Sequence, residues 1–558
     1  MNPSSRAGAV PLALPRSRPA LASGLLLTAL TLGVFLPFLG KAVHIDDPLF
    51  VWTARQILSD PTDFYGFTLN WQGVEEPMSE VTQNPPLAAY YLALVGWLFG
   101  WSERAMHAGF LLPALLAVLG TYRLAHVLGT DSMRSAIATL AAPVFVVSGT
   151  SLMGDMMLLA SWVWAIALWI EGLRLGNATR LGFAALLVAA AALTKYFGIS
   201  LVPLLFVVSW METGRLGRWT AILLLPVAAL VGYQALTESL YGTGLLGNAA
   251  AYASDFRVGG GLLSKAITGL AFSGGCIVLL LTAAPLLWGK RALLFGIPAA
   301  GVVGAIVVAM RQVGEFHVTR PQGIAWSFVA QVSLLVVAGT GLLVLAVADW
   351  RRRRSADSVL LLLWVGGTLA FTCLVNWTVS ARNLLPLVPA ASLLVVRRLE
   401  SSGHVRDRAG RARVTLAVGA SLAVALLVAW ADYALAGSAR TAARSLVREP
   451  NGTSNAFAFQ GHWGFQYYMQ ELGARPLDRD EPRYHADEAV VVPVGNSYLF
   501  PVPAERRVSR VVHAFRTLPG LTTMSARLGA GFYSDGWGPL PFAFGRIPAE
   551  EYVVYRMR

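Results

Sequence analysis

Charge is what this chain has least of. Only 13% of its 558 residues are Asp, Glu, Lys or Arg, while 55% are hydrophobic; soluble domains carry roughly 25% charged residues. With a mean hydropathy of +0.57, the sequence excludes an ordinary water-soluble protein and requires lipid as the main solvent. Cysteine is nearly absent. Cys276 and Cys373 both lie in apolar segments, which excludes a disulfide framework and a thiolate metal site. Acidic residues are scarcer than basic ones, 31 against 44, for a formal charge of +13. That excess does not form a basic face on one domain. It is spread over short clusters between apolar runs, the pattern of cytoplasmic membrane loops, and no nucleic acid is expected as a partner. Neither an internal repeat nor a low-complexity linker is present.

A spanning helix needs about 20 apolar residues. Segments of that kind fall at 21–40, 106–128, 134–152, 156–173, 181–194, 197–211, 219–238, 268–288, 292–310, 325–348, 358–376, 383–398 and 414–433. The count is about 13 spans, with 181–194 and 197–211 short and broken at Lys195-Tyr196. The run 21–40 reads as an uncleaved first helix because no small-residue cleavage site follows it.

The apolar run 85–100 is too short to cross at about 1.5 Å per residue. Read as an interfacial helix, it leaves Arg16/Arg18, Arg174/Arg180, Arg215/Arg218, Lys290/Arg291, Arg351–Arg354 and Arg397–Arg413 on one side, which the positive-inside rule makes cytoplasmic. Asp46, Asp47, Asn84, Asp155, Lys195 and Arg382 then share the outer face. The expected location is the plasma membrane, multi-pass, with a cytoplasmic N-terminus.

Beyond about residue 434 the apolar runs shorten, as in Ala489-Val490-Val491-Val492-Pro493-Val494, with Gly, Pro and charge between them. This predicts a small α/β domain outside the membrane. The expected fold class is thus an all-α polytopic membrane protein with interfacial helices in its first outer loop, plus that domain. The expected division is a tail 1–20, a transmembrane domain 21–433 and a soluble domain 434–558. Asn177-Ala-Thr, Asn376-Trp-Thr and Asn451-Gly-Thr match the glycosylation triplet, which is common by chance, and nothing is drawn from them.

The polar residues stand in recognisable company. Asp46-Asp47-Pro48-Leu49-Phe50-Val51-Trp52-Thr53-Ala54 resembles the "Asp-Glu-Pro-x-Tyr-x-x-x-Ala" opening of GT-C glycosyltransferases. Groups of that kind that it resembles are the dolichyl-phosphate-mannose protein mannosyltransferases and the bacterial lipid A aminoarabinose transferases. Asn84-Pro85-Pro86-Leu87-Ala88-Ala89-Tyr90 is similar to their "x-Pro-Pro-Leu-x-x-Tyr". Gly154-Asp155-Met156 resembles their second acidic position, Leu193-Thr194-Lys195-Tyr196-Phe197-Gly198 their "Leu-Thr-Lys-x-x-Gly", and Arg382-Asn383-Leu384-Leu385-Pro386 their "Arg-Tyr-Leu-Leu-Pro". The resemblance covers residues 20–400, in the family's order. Asp47 stands where relatives have Glu, Asn84 where they often have His or Lys, and Asn383 where they have an aromatic. The C-terminal piece around Gly461-His462-Trp463-Gly464 resembles other bacterial members and not the mannosyltransferases' lumenal domain; Trp463, Tyr467 and Tyr468 there are candidates to stack on sugar rings, with packing of a small domain as the plainer reading.

The resemblance implies transfer of a sugar from a polyprenyl-phosphate carrier to an acceptor hydroxyl outside the cytoplasm, with a glycan, lipid or protein as acceptor. An attacking hydroxyl needs a base, and Asp46 is the candidate, with Asp47 orienting it or the acceptor. Both also suit the cap of a helix begun by Pro48. A phosphate leaving group needs cations in place of a general acid. Lys195 and Arg382 are the candidates, with Asn84 and Asp155 as further substrate contacts, and Arg257, Arg311, His317 and Arg320 in outer loops. No cofactor is required. Mg²⁺ or Mn²⁺ would suit the carboxylates Asp46, Asp47, Glu75, Glu76, Glu80 and Asp155, but no spacing demands either. Two competing readings are a lipid or glycan transporter and a non-catalytic envelope-assembly subunit.

Overall fold

In a computed structural model the backbone is described for residues 17–82, 84–255, 258–448 and 457–558. Arg16, Gln83, Arg257 and Asn451, and the side chain of Arg18, lie outside the described residues. Nine of the expected spans are helices, single or nearly continuous, that are long and apolar enough to cross a membrane, among them Asp155–Leu175, Trp326–Arg353 and Arg408–Val447.

The other four expected spans are short or broken. Ser132–Leu140 and Pro143–Gly149 meet at 66°. Pro143 disfavours a helical conformation at the residue before it, and Ala142 is extended there, with φ −85° and ψ 130°. The expected span 268–288 is three pieces, Leu262–Cys276, Leu279–Thr282 and Ala284–Trp288. Ala178–Thr194 and Leu387–Ser401 are continuous but have only 17 and 15 residues. The run 85–100 is a 13-residue helix, Leu87–Phe99, about 20 Å long and too short to cross.

Charge is sorted to two ends of the bundle. The Asp155–Leu175 helix has 21 residues, a length of about 31 Å, and carries Asp155 at one end and Arg174 at the other. Around Arg174 gather Glu212 and Asp357, and at that same end Arg397 reaches Asp349 while Arg123 and Arg180 share Glu171. The residues singled out from the sequence are at the opposite end. Cysteine labelling tests which end is outside: with the bundle oriented by its basic clusters, an impermeant thiol reagent is expected to label Glu505→Cys and leave Arg353→Cys untouched. Labelling of position 353 from outside would reverse the orientation. Both positions are exposed.

The last membrane helix, Arg408–Arg448, has 41 residues, about 60 Å, so it projects well beyond the bilayer core and leads into the C-terminal region. There a mixed five-stranded sheet runs in the order Arg507–Phe515, Glu550–Met557, Ala489–Pro493, Phe457–Phe459, Arg475–Pro476. The first three strands are antiparallel and the last two join in parallel. Val490 and Val491, from the apolar run that predicted a strand, are fully buried there.

This region is not a detached module. Gly464, in the Trp463–Glu471 helix, lies so close to the loop before Asp46 that a Cβ would fall 2.0 Å from the Val43 carbonyl oxygen. Residues 520–545 form two small antiparallel strand pairs, Met524–Ser525 with Ala530–Gly531 lying between the strands of Gly520–Thr522 with Ala543–Gly545, and return to the bundle. The Phe532 carbonyl accepts from the Ala381 N–H, and Asp535 takes Lys265 at 3.0 Å together with the Thr378 hydroxyl and the Val379 N–H. Removing residues 440–558 would therefore strip partners from the membrane helices as well.

Candidate active site

The first acidic motif makes a strained turn. Ile45 has φ +46°, a left-handed conformation that a β-branched side chain adopts only when its surroundings impose it. Asp47 supplies much of that imposition. Its carboxylate is fully buried and accepts from the His44 N–H at 3.0 Å, the Ser151 hydroxyl at 2.9 Å and the Leu152 N–H at 2.8 Å. It thereby fastens the turn to the loop preceding Asp155. With Asp47 engaged inward, Asp46 takes the cap position of the Asp47–Ser59 helix and faces a cavity.

Lys195 is presented by a break of the same economy. The Ala178–Thr194 helix stops at Lys195, which is extended with φ −150° and ψ 134°. The chain then folds back so tightly that a Cβ on Gly198 would lie 2.3 Å from the Ala191 carbonyl carbon. Glycine at the third position after the lysine is what permits that close approach. Gly154 serves similarly, packed against Ala88 and Thr194, so three of the sequence motifs meet around the start of the Asp155 helix. Arg382 comes from a short helix, Ala381–Leu384, preceded by a π-turn at Phe371–Val375; π-turns of this kind are frequent at functional sites.

These residues form a chain of alternating charge. Lys195 Nζ lies 2.5 Å from Asp155 Oδ1, Arg382 Nη1 lies 3.9 Å from Asp155 Oδ2, and Arg382 Nη2 lies 3.0 Å from Asp46 Oδ2. The Arg382 guanidinium also sits over the Tyr533 ring, 5.4 Å from its centroid. Of the three aspartates, Asp155 and Asp47 are fully buried, whereas the Asp46 side chain is 32% exposed. Only Asp46 is open to a molecule in the cavity.

The cavity has a volume of about 660 Å³ and is lined by Asp46, Asn84, Lys195 and Arg382 on its charged side. One wall is apolar, built from Leu246, Ala249 and Ala253 with Phe197, Phe371 and Val375; Phe197 and Phe371 stack at 4.1 Å. A further part of the lining belongs to the C-terminal region: His462, Trp463, Ser497, Tyr498 and Trp537. The site thus assembles Asp46, Asn84, Lys195 and Arg382 at one cavity, with Asp155 buried behind the two cations and Asp47 beneath the turn.

Several sequence candidates do not reach it. Arg311, His317 and Arg320 do not line the cavity, and Arg320 covers the Phe316 ring at 4.7 Å. Tyr467 and Tyr468 are buried, engaged by Arg55 and the Val43 N–H respectively. No group of three or more His, Cys, Asp or Glu side chains arranged to hold a metal ion occurs among the described residues.

Two parts of the arrangement were not read from the sequence. One is the assembly of the aromatic wall, in which Trp537 comes from far along the chain to meet Trp463. The other lies just below: Lys41 and Asp432, both fully buried, pair at 2.6 Å. Asp432 also accepts from the hydroxyls of Thr523 at 2.7 Å and Tyr533 at 2.9 Å, fixing the ring that Arg382 covers. Burial pushes neighbouring His44 down to about 4, so its imidazole is neutral beside this pair. The signal available for Lys41 and Asp432 was ionisable residues at span ends, which snorkelling equally explains.

Residues 83–234 match the family model described as dolichyl-phosphate-mannose-protein mannosyltransferase. That stretch holds the Asn84, Asp155 and Lys195 motifs, and over it the chain is similar to that family. No curated protein matches it. Solved structures that resemble it include ArnT from Cupriavidus metallidurans bound to undecaprenyl phosphate, at 15% identity over 84% of this chain and 93% of that one, with a TM-score of 0.42. The Archaeoglobus fulgidus oligosaccharyltransferase matches at 12% identity over 83% and 64%, with a TM-score of 0.46. The mycobacterial arabinofuranosyltransferase AftD matches at 12% identity over 97% and 40%, with a TM-score of 0.42.

Proposed function

We propose that the chain moves a sugar from a polyprenyl-phosphate-sugar donor to an acceptor hydroxyl on the extracytoplasmic side, by inverting single displacement with Asp46 as base. The observation that carries this reading is the charge chain Asp46–Arg382–Asp155–Lys195 at the edge of a cavity with one apolar wall. A base must be reachable before its basicity matters, and Asp46 is the aspartate of the three that is reachable.

The two cations suit the phosphate. Arg382 and Lys195 both line the cavity, and the Lys195 ammonium has three protons, of which Asp155 takes one. A phosphate beside them would use donors already held in place by Asp155, which spares reorganisation as leaving-group charge develops. The polyprenyl tail would follow the apolar wall at Phe197, Phe371 and Val375 toward the bilayer. Asp47 and Asp155 act through their neighbours, Asp47 by holding the turn that carries Asp46, and Asp155 by orienting both cations. The basic clusters at the opposite end of the bundle support an extracytoplasmic position for this one.

Binding of sugar-free undecaprenyl phosphate to the protein in nanodiscs tests the donor assignment. Arg382→Gln and Lys195→Met are each expected to weaken it tenfold or more, with helicity unchanged. Wild-type affinity in both folded variants would contradict it.

A further inference from the structure

His462 is held with unusual completeness for a loop residue. The Asn496 side chain accepts from its N–H and donates to its carbonyl, both at 3.1 Å. Its ring lies flat on Trp71, with centroids 4.8 Å apart and planes 13° apart. Nδ1 is 3.0 Å from the Trp71 carbonyl oxygen. A carbonyl only accepts, so Nδ1 carries the proton and Nε2 is the acceptor. Burial pushes His462 down to about 4, which keeps this neutral tautomer at physiological pH. Nε2 accepts from the Ser497 hydroxyl at 3.0 Å, and both residues line the cavity.

Two indoles complete the wall. Trp463, placed by a left-handed backbone with φ +66°, and Trp537 face the same cavity with centroids 5.5 Å apart and planes at 56°. Both are partly exposed. Half-open aromatic faces beside a fixed hydrogen-bond acceptor suit a ligand with C–H faces and peripheral hydroxyls.

We propose that the His462–Trp463–Trp537 wall is a saccharide subsite and that the acceptor is a glycan. A sugar ring stacks on the indoles, one hydroxyl replaces Ser497 as donor to His462 Nε2, and a second is directed at Asp46. Two separate acceptor groups in one cavity match a polyhydroxylated ring. A serine or threonine side chain has one hydroxyl and leaves one of them unused. The proposal rests on the transfer reading for the role of the second hydroxyl, but saccharide binding itself does not depend on it.

The test is calorimetric titration of the full-length protein in nanodiscs with a panel of disaccharides built from glucose, mannose, galactose and arabinose, and with a serine/threonine peptide. At least one disaccharide is expected to bind. His462→Phe, which keeps an aromatic ring over Trp71 and removes Nε2, and Trp537→Ala, on the facing loop, are each expected to weaken it tenfold or more. If one variant does not stay monodisperse, the other carries the comparison. Absence of saccharide binding at millimolar concentration, binding indifferent to both wall variants, or preferential binding of the peptide would overturn the proposal. Retained transfer by Asp46→Asn would remove the base and leave the subsite standing.

Discussion

Asp46→Asn is expected to lower sugar transfer by about a hundred- to ten-thousand-fold, the usual contribution of a positioned general base, while the protein stays folded. The asymmetry follows from burial. Asp46 is partly exposed and contacts Arg382 alone among the ion pairs, and an amide oxygen still accepts from that guanidinium. Nothing buried is left unpaired. Asp47→Asn is expected to behave in the opposite way. Its carboxylate accepts from three donors in a dry environment, and an amide would turn one accepting oxygen into a donor facing donors, a loss of about 1–3 kcal/mol per unsatisfied group. Measuring thermal unfolding and transfer on both variants separates the roles. Equal damage to stability in the two would argue that Asp46 is structural as well.

The largest effect on stability is expected at Lys41 and Asp432. Both are fully buried and in contact at 2.6 Å, and Asp432 also holds Thr523 and Tyr533. Removing one partner of a buried ion pair typically costs about 3–5 kcal/mol, chiefly because the survivor is left charged and unpaired. Lys41→Met alone and Asp432→Leu alone are each expected to reduce or abolish the yield of folded protein. The double variant is expected to recover much of the stability, since an apolar pair can replace a buried ionic one. Its transfer activity should nevertheless stay low, because the Tyr533 hydroxyl loses its acceptor and the ring beneath Arg382 loses its anchor. Full activity in a stable double variant would detach this pair from the site.

Lys41 and Asp432 also mark where reading the sequence stopped. Asp46, Asp155, Lys195 and Arg382 were legible because an ionisable residue amid apolar sequence is costly and generally has a purpose. Asp46, Lys195 and Arg382 line one cavity, with Asp155 buried behind the two cations. Lys41 and Asp432 are ionisable too, but each sits at the end of a run, where it passes for a membrane-interface flank. Nothing local joins residues so far apart in the chain. The same holds for the pairing of Trp463 with Trp537, which depends on residues 520–545 folding back onto the bundle.

Helix count was legible as hydropathy and less so as continuity. All thirteen expected segments are helical in whole or in part, yet 268–288 is broken into three pieces. Gly274 and Gly275 there press on the Leu335 carbonyl oxygen and on Pro541, the latter a residue of the C-terminal region. A hydropathy window sees apolar residues and not the packing that interrupts them. Gly198 closes a motif visible in the sequence, Leu193–Gly198. Its physical reason, the close approach to Ala191, required the fold.

The most direct test of the account is turnover by the purified protein in lipid, offered a panel of polyprenyl-phosphate sugars with a glycan acceptor, with the anomeric configuration of the product read by NMR. The account predicts that one donor is consumed and that its sugar appears on the acceptor with inverted configuration. Retention of configuration would contradict single displacement by a hydroxyl activated at Asp46, and a folded protein that consumes none of the donors would contradict the assignment as a polyprenyl-phosphate-dependent transferase.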